Sequence, residues 1–309
     1  MRIRLDWFGE KLAQRLADLE AGRIAPATPR DAATVMLLRP AGADAADGAA
    51  VGVADGAVGA VGAVGVEVLM LRRVAAMKFA PGAYVFPGGS VDPADFDPQI
   101  GWHGPDPAEF GARLGAPPEL ARALVCAAVR ETFEEAGVLL AGAPDGGPLA
   151  GPSGPSGPSW DEDRAALVAG ALTLAELLSR RGLVLRADLL VPWARWITPE
   201  GEPRRFDARF FAAALPAGQV ATGHAAESDR IAWLRPATAL AAARAGEMSM
   251  LPPTATTLND FALAGAAAAG DAVDAILARR PAIEPVMPRL VLEDGLAWLV
   301  IPDEVGYPL

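Results

Sequence analysis

The sequence is poor in the residues that build disulfide frameworks and zinc sites. Its 309 residues include one cysteine, Cys126, and two histidines, His103 and His224. A single cysteine excludes an intrachain disulfide and suits a reducing compartment such as the cytoplasm. Because Cys126 stands among aliphatic residues, it is predicted to be a buried, inert thiol. The two histidines are far apart and have no cysteine neighbours, so a structural zinc site is not expected.

Basic residues are also scarce, since 27 lysines and arginines face 38 aspartates and glutamates and the net charge is -11. This balance argues against nucleic acid or an anionic membrane as a partner, and an anionic substrate would need a bridging cation. The sequence has no long hydrophobic run. We therefore expect neither a signal peptide nor a transmembrane span. The hydrophobic share of 52% is ample for a globular core.

An acidic cluster lies in the stretch AAVRETFEEAGVLL, at 127–140. The pattern predicts a helix over 119–136 that ends at Gly137. On a helix, Glu134 and Glu135 lie three and four residues after Glu131, so the three carboxylates share one face. Within the helix only Arg130 offsets their repulsion. The cluster predicts a site for a hard divalent ion, Mg²⁺ or Mn²⁺, although a solvated acidic face is the alternative.

The run from Arg130 to Val138 resembles the second half of the Nudix hydrolase box. Gly89, in FPGGSVDPAD, matches the glycine of the first half, and Asp95 stands where the box has a glutamate. A long segment, 96–129, separates the two halves. Such an interrupted box resembles the peroxisomal type of coenzyme A diphosphatase and its bacterial relatives. The segments at 203–216, 227–236 and 250–261, which read PRRFDARFFAAALP, ESDRIAWLRP and MLPPTATTLNDF, look like the same branch.

The resemblance implies a fold and an activity. The fold would be α/β (α+β), a mixed β-sheet sandwiched between helices, with an N-terminal helix and a C-terminal helical and hairpin extension. The activity would be metal-dependent hydrolysis of a nucleoside diphosphate linked to another moiety. Coenzyme A or acyl-CoA is the favoured substrate, giving adenosine 3',5'-bisphosphate and phosphopantetheine or its acyl form. The alternatives are ADP-ribose or another nucleotide derivative, and a catalytically silent ligand-binding module, which the intact glutamate set disfavours.

The resemblance also implies the roles of site residues. Glu131, Glu134, Glu135 and Glu227 would bind metal, with Arg130 orienting the carboxylates. Catalysis would depend on Glu131, Glu134, Arg130 and Glu227. Glu227 precedes a predicted strand, where it could complete the ligand set or act as general base. A surface glutamate in a loop is the other interpretation of Glu227.

A second signature of coenzyme A diphosphatases resembles the stretch at 69–89 and implies substrate contacts by Arg73, Lys78, Gly88 and Gly89. Two cations near a glycine-rich loop suit phosphate groups. The stretch departs from the signature at Leu71, Val74 and Lys78, and lysine lacks the bidentate fork of arginine. Ordinary solvated cations are the alternative.

The sequence divides into an N-terminal helix (1–30), a Nudix domain (31–250) and a helical and hairpin extension (251–309). The proline-rich insertion 96–118 is predicted to lie over the substrate pocket as a loop or lid. Its Trp102, His103 and Phe110 would stack on substrate or, more commonly, pack on their own domain. A Gly-Pro-Ser stretch at 141–159 is predicted to be a flexible linker. Further predictions are helices at 161–181 and 254–279, the latter capped by a threonine, a hairpin at 289–301, and a possible homodimer contact.

Overall fold

The computed structural model describes residues 1–5, 10–42, 65–74, 80–147, 158–223, 228–268, 270–294 and 296–309. Its α-helices are α1 (Glu10–Glu20), α2 (Pro107–Leu114), α3 (Pro118–Ala136), α4 (Pro158–Val168), α5 (Leu174–Arg181), α6 (Pro236–Arg244), α7 (Pro252–Ala266) and α8 (Ala272–Ala278). Its strands are β1 (Arg2–Arg4), β2 (Arg30–Pro40), β3 (Val66–Arg73), β4 (Tyr84–Val85), β5 (Gly88–Ser90), β6 (Trp102–His103), β7 (Ala141–Gly142), β8 (Val184–Arg186), β9 (Val191–Ile197), β10 (Phe206–Ala214), β11 (Ser228–Leu234), β12 (Pro285–Val286), β13 (Arg289–Glu293) and β14 (Leu296–Val300).

The central sheet is mixed, as predicted. Its strand order is β11-β3-β2-β10-β9-β12, with β4 beside β3 and β5 beside β2. Strands β2 and β10 are parallel, and Arg30 is paired with Phe206. The neighbouring pairs β2–β3 and β10–β9 are antiparallel. Since Val35 and Met36, neighbours on β2 that face opposite sides, are both fully buried, both faces of the sheet are covered.

Helices cover the two faces. On one face, α3 packs Leu124 and Phe133 into the cluster that contains Val35. On the other face, α6, α7 and α8 contribute to the cluster that contains Met36, with Leu240, Phe261 and Ile276 as their buried members. The predicted sandwich of a mixed sheet between helices is therefore confirmed. No described helix combines the length and the apolar character needed to cross a bilayer.

Helix α3 presents the acidic cluster, and its bounds agree with the prediction. It starts with Pro118 in its first turn, where the missing N–H costs nothing. It ends at Gly137, which adopts a left-handed conformation with φ of 66° and donates its N–H to Phe133 O. The predicted hairpin at 289–301 is confirmed as β13 and β14, and β1 pairs with β14 on its other side.

Two predicted helices are each a pair of helices. The stretch 161–181 divides into α4 and α5, because Gly170 turns the chain with φ of 67°. Thr173 and Glu176 then form a capping box that starts α5. The stretch 254–279 likewise divides into α7 and α8, and Asp271 caps α8 by accepting the N–H groups of Val273 and Asp274.

The threonine predicted to cap α7 does not do so. The N-cap residue is Leu251, which makes no side-chain hydrogen bond, and Thr254 is buried within the first turn. The two prolines that follow Leu251 supply the start signal instead, because proline is preorganised for the first helical turn.

The insertion 96–118 belongs to the core, so its prediction as a lid is wrong. Phe110 and Leu114 on α2 are buried in the same cluster as α3. The ring of Phe110 lies 6.0 Å from that of Trp102 and 6.4 Å from that of Phe211. Trp102 and Phe110 therefore pack on their own domain, and helix α2 begins at one of the prolines, Pro107.

The predicted linker 141–159 begins inside the fold. Ala141 is buried, and Ala141–Gly142 forms β7, which pairs with β8. The prolines and glycines at 148–157 lie outside the described residues, and α4 begins at Pro158.

Candidate active site

Arg130 lies at the centre of the acidic cluster. Its Nη1 donates to Glu131 Oε1 at 2.8 Å and to Glu134 Oε1 and Oε2 at 3.3 and 3.4 Å. Its Nη2 donates to Ser90 O at 2.9 Å, which connects α3 to β5. The guanidinium is largely buried, with 12% of the side chain exposed. Burial alone would lower the pKa of Arg130, but the hydrogen bond to Asp95 and the charges of Glu131 and Glu134 raise it above the ordinary value.

Asp95 is the principal partner of Arg130. Its Oδ1 accepts Arg130 Nε and its Oδ2 accepts Arg130 Nη2, both at 3.0 Å, in a bidentate pair. Oδ2 also accepts the N–H of Asp92, and Asp92 caps the short 3₁₀-helix Pro93–Phe96. Only 1% of the Asp95 side chain is exposed. The aspartate thus pairs with the arginine of the box and fixes the segment between β5 and the insertion.

Glu131 lies against the glycine strand β5. A Cβ atom added to Gly89 would stand 2.3 Å from Glu131 Oε1, so a side chain at this position would force the carboxylate to move. Burial raises the pKa of Glu131 to about 7, although the nearby charge of Arg130 opposes the shift. A buried carboxylate of this kind gains from a cation beside it.

Glu135 contacts the residue before Gly89. Its Oε2 accepts the N–H of Gly88 at 2.9 Å. A Cβ added to Gly88 would meet Ala33 O at 2.4 Å, so this position also requires close approach to β2. The carboxylates of Glu131 and Glu135 therefore both lie along β5, one at Gly89 and one at Gly88.

The donor set has the chemistry of a hard divalent ion, because carboxylate and carbonyl oxygens are the ligands that Mg²⁺ and Mn²⁺ prefer. The glycine strand leaves space for the Glu131 carboxylate that a side chain would fill. In the described part of the chain, however, no three Asp, Glu, His or Cys side chains are placed so that they could share one ion. Glu131 and Glu134 instead accept hydrogen bonds from Arg130.

The other predicted site residues are only partly placed. Arg73 ends β3, opposite Ser228 of β11, and its backbone pairs with Gly82 and Ala83. Glu227 and Lys78 lie outside the described residues. Contacts are described on both sides of the gap that contains Glu227. Before it, the N–H of Thr222 donates to Ala136 O at 2.8 Å, and after it Ser228 is paired with Arg73 of β3.

Two residues beside the cluster were not predicted from the sequence. Arg164 on α4 donates from Nε to Glu134 O at 2.9 Å, and Gln219 binds both the N–H and the C=O of Leu139 at 2.9 Å. Neither residue belongs to a recognisable motif, and each reaches a backbone group distant in sequence. No local pattern could have identified them.

Comparisons with known proteins identify the family of this domain. The family model of the NUDT19 Nudix domain matches residues 106–260, a region that contains the acidic helix and begins after the glycine strand. The acyl-coenzyme A diphosphatase NUDT19 of Gallus gallus is 32% identical over 228 residues, which cover 60% of this chain and 58% of that protein. The human acyl-coenzyme A diphosphatase NUDT19 is 32% identical over 225 residues, with coverages of 60% and 58%. The chain thus spans less than two thirds of these relatives.

A solved structure extends the comparison. The crystal structure of a Nudix hydrolase from Alicyclobacillus acidocaldarius has 30% sequence identity and a TM-score of 0.56. The alignment covers 77% of this chain and 93% of that chain. Nudix hydrolases generally use divalent metal ions. The mixed sheet between helices, the acidic helix against a glycine strand and these similarities together show that this chain belongs to the Nudix hydrolase family, with a domain of the NUDT19 type.

Proposed function

We propose that this enzyme hydrolyses the diphosphate of coenzyme A or acyl-CoA, releasing adenosine 3',5'-bisphosphate and phosphopantetheine or its acyl form. The observation that carries the proposal is the contact of Glu131 and Glu135 with the glycine strand at Gly89 and Gly88. This arrangement gathers anionic oxygens where a cation can bridge them to an anionic substrate. The substrate class comes from the names of the relatives, two of which are acyl-coenzyme A diphosphatases.

The metal would be Mg²⁺ or Mn²⁺, held by Glu131, Glu134, Glu135 and Glu227. When bound, the ion supplies charge neutralisation for the diphosphate, polarisation of phosphorus and a binding position for water. Arg130 keeps Glu131 and Glu134 oriented, since its Nη1 contacts both carboxylates. Its bidentate pair with Asp95 holds the guanidinium itself in place.

The residues of the chain would divide the remaining tasks. Glu227 would accept a proton from the attacking water, whose oxygen forms a bond to phosphorus while the anhydride P–O bond breaks. Arg73 and Lys78 would pair with phosphate oxygens, and the backbone at Gly88 and Gly89 would allow close approach. Glu227 and Lys78 receive these roles from the sequence alone.

A substrate panel tests the proposal. Coenzyme A, an acyl-CoA, ADP-ribose and a dinucleoside diphosphate would be incubated with enzyme and Mg²⁺ or Mn²⁺, with and without EDTA, and the products identified by mass. We expect cleavage of coenzyme A or acyl-CoA that EDTA abolishes. Preferential cleavage of ADP-ribose would reassign the substrate, and no cleavage of any compound would favour a ligand-binding module.

Two substitutions test the ligand set. Glu134→Gln and Glu135→Gln each remove a negative charge with little change of shape, so metal-dependent hydrolysis should fall by about hundredfold or more. Glu119→Gln is the matched control, because Glu119 lies exposed in the first turn of the same helix. Hydrolysis that is unchanged in the Glu134 and Glu135 variants would refute the metal role.

Three further proposals concern the whole protein. The domain division at 30 and 250, a cytoplasmic location and a homodimer rest on sequence features. The single cysteine is compatible with a reducing compartment. Light scattering of the purified protein would decide the oligomeric state, and fluorescence microscopy of the tagged protein in its source cells would decide the compartment.

A further inference from the structure

The loop at 219–222 is fastened to the C-terminal end of the acidic helix. Thr222 N–H donates to Ala136 O at 2.8 Å. Gln219 binds Leu139 through two hydrogen bonds of 2.9 Å, one to the backbone N–H and one to the backbone C=O. The loop therefore supplies partners to the end of α3 and to the strand-like segment that follows it, where helical hydrogen bonds have stopped.

Arg164 connects the same loop to the helix from a third element, α4. Its Nη1 donates to Thr222 Oγ1 and its Nη2 to Thr222 O, both at 2.9 Å. Its Nε donates to Glu134 O at 2.9 Å. One planar guanidinium thus joins α4, α3 and the loop, a geometry that the single ammonium of lysine cannot reproduce.

Arg164 binds the backbone carbonyl of Glu134, which lies in the last turn of α3. The last four C=O groups of a helix have no intrahelical partner, and Glu134 O is one of them because α3 ends at Ala136. Its hydrogen bond to Arg164 and that of Ala136 O to Thr222 fix the last turn from outside the helix. Glu134 and Glu135 project from this turn.

The surroundings leave Arg164 and Thr222 little freedom. Helix α4 is held against α3 by the edge-to-face contact of Trp160 with Phe133, at 6.2 Å between ring centroids. Thr222 Oγ1 lies 2.6 Å from the position that a Cβ on Gly137 would take. Close contact between loop and helix therefore requires glycine at that position, in addition to its positive φ.

We propose that Arg164 is a positioning residue of the hydrolase, which acts through the Glu134 carbonyl and Thr222 to orient the Glu134 and Glu135 carboxylates. The inference rests on the proposed metal-dependent function. Arg164 donates to backbone and hydroxyl oxygens and makes its contribution through the geometry of the last turn of α3. Loss of the fork would leave the carboxylates present but misplaced, and small displacements are costly for catalysis.

The test compares Arg164→Ala, Arg164→Lys and Thr222→Val with Arg122→Ala. Arg122 is a matched control because it also lies on the α3 side of the sheet and donates to three backbone carbonyls, those of Asp97, Pro98 and Ile100, but contacts neither Glu134 nor Thr222. For each variant, kcat and KM with the best substrate, Mn²⁺ affinity without substrate, and the urea midpoint of unfolding would be measured.

We expect Arg164→Ala to lower kcat by about tenfold to hundredfold with KM nearly unchanged, and to weaken Mn²⁺ binding by about tenfold. Arg164→Lys should not restore either quantity. Thr222→Val should also lower kcat, and the double variant with Arg164→Ala should lose less activation free energy than the sum of the two single losses, since the two side chains share one hydrogen bond. Arg122→Ala should lower the urea midpoint to a similar extent and leave kcat and Mn²⁺ affinity unchanged.

Several outcomes would overturn the inference. Equal losses of kcat in Arg164→Ala and Arg122→Ala would show a purely structural role, and full rescue by Arg164→Lys would show that charge matters and not the fork. If the wild type cleaves no substrate but binds Mn²⁺, the proposed function fails, and unchanged Mn²⁺ affinity in Arg164→Ala would then reject the positioning role separately. A wild type that binds no Mn²⁺ rejects both.

Discussion

At the residue scale, the site depends on a cation placed among several acids. Arg130 contacts Asp95, Glu131 and Glu134, and all four side chains are at most 16% exposed. Removal of one member of such a buried group leaves its partners without compensation, which costs more than the pair contributes to stability. Asp95 and Arg130 are therefore expected to be the most sensitive pair in this cluster.

Replacement of Asp95 by alanine should lower the free energy of unfolding by about 3 kcal/mol, because it leaves the Arg130 guanidinium without its bidentate partner. The matched control is Asp92→Ala, which removes the other half of the same capping box but no partner of Arg130, and should cost only about 1 kcal/mol. Urea unfolding in EDTA measures both. Equal losses would mean that Asp95 contributes as a cap alone.

Metal affinity should depend on pH through Glu131. Burial raises the pKa of this carboxyl to about 7 in the metal-free protein, above the ordinary value, so protons compete with metal for it as pH falls. Between pH 8 and pH 6 the deprotonated fraction falls about tenfold, and the apparent affinity for Mn²⁺ should fall by about the same factor. Calorimetric titration would measure it. Affinity that is constant over this range, or a dependence that persists in Glu131→Gln, would contradict the assignment.

At the scale of elements, the strand β5 and helix α3 form one unit, because β5 is short and its glycines allow the carboxylates to approach. Ser90 O, Gly88 N–H and the space beside Gly89 are each used by a different side chain of the helix. A side chain added at Gly89 would have to displace the Glu131 carboxylate, and one added at Gly88 would meet the backbone of β2.

Gly89→Ala should therefore lower metal-dependent kcat by about hundredfold or more, since the new Cβ would overlap Glu131 Oε1. Gly270→Ala provides the comparison, because a Cβ there meets nothing within 4 Å. Steady-state kinetics at saturating Mn²⁺ would measure the effect, with the urea midpoint recorded beside it. A variant of Gly89 with normal kcat would show that the carboxylate is not needed at this place.

Some elements could be predicted from the sequence because their signals are local. Helix α3 has proline at its start and glycine at its end, and the mixed sheet follows from strand-forming runs and the Nudix resemblance. The stretch 161–181 was predicted as one helix from a start signal at Trp160 or Asp161 and a stop signal at Gly182. The turn at Gly170 and the capping box at Thr173 lie between these signals and divide the stretch into two helices.

The site was predictable only in part, for a different reason. The motif pointed to Arg130, to Glu131, Glu134 and Glu135 of α3 and to the glycine strand, because their spacing is characteristic. The contacts of Arg164 with Glu134 O and Thr222 join residues 30 and 58 positions apart, and no spacing rule relates them. The packing of the insertion also depended on a distant partner, Phe211 on β10.

At the scale of the whole molecule, the C-terminal extension contributes to the core of the Nudix domain. Ile301, which follows β14, is 1% exposed and belongs to the cluster on the sheet face opposite α3. The extension therefore stabilises the face of the sheet that does not carry the acidic cluster, and its loss should affect folding more than catalysis.

Ile301→Ala should lower the free energy of unfolding by about 3 kcal/mol, because it leaves a cavity between the extension and the sheet. The comparison is Leu292→Ala on β13, where 39% exposure predicts a change within about 0.5 kcal/mol. Both variants should keep the kcat of the wild type. If kcat of Ile301→Ala fell under conditions in which the variant is still folded, at urea concentrations below its unfolding midpoint, the two faces of the sheet would be coupled.

The parallel pair of β2 and β10 also has a consequence for biosynthesis. Arg30 cannot meet Phe206 until the ribosome has translated nearly the whole Nudix domain. Until then the long apolar strand β2 has one unpaired edge in a nascent chain, which exposes it to aggregation. Chaperone capture of stalled nascent chains should accordingly be strong for those that stop before β10 and weak for those that extend past it.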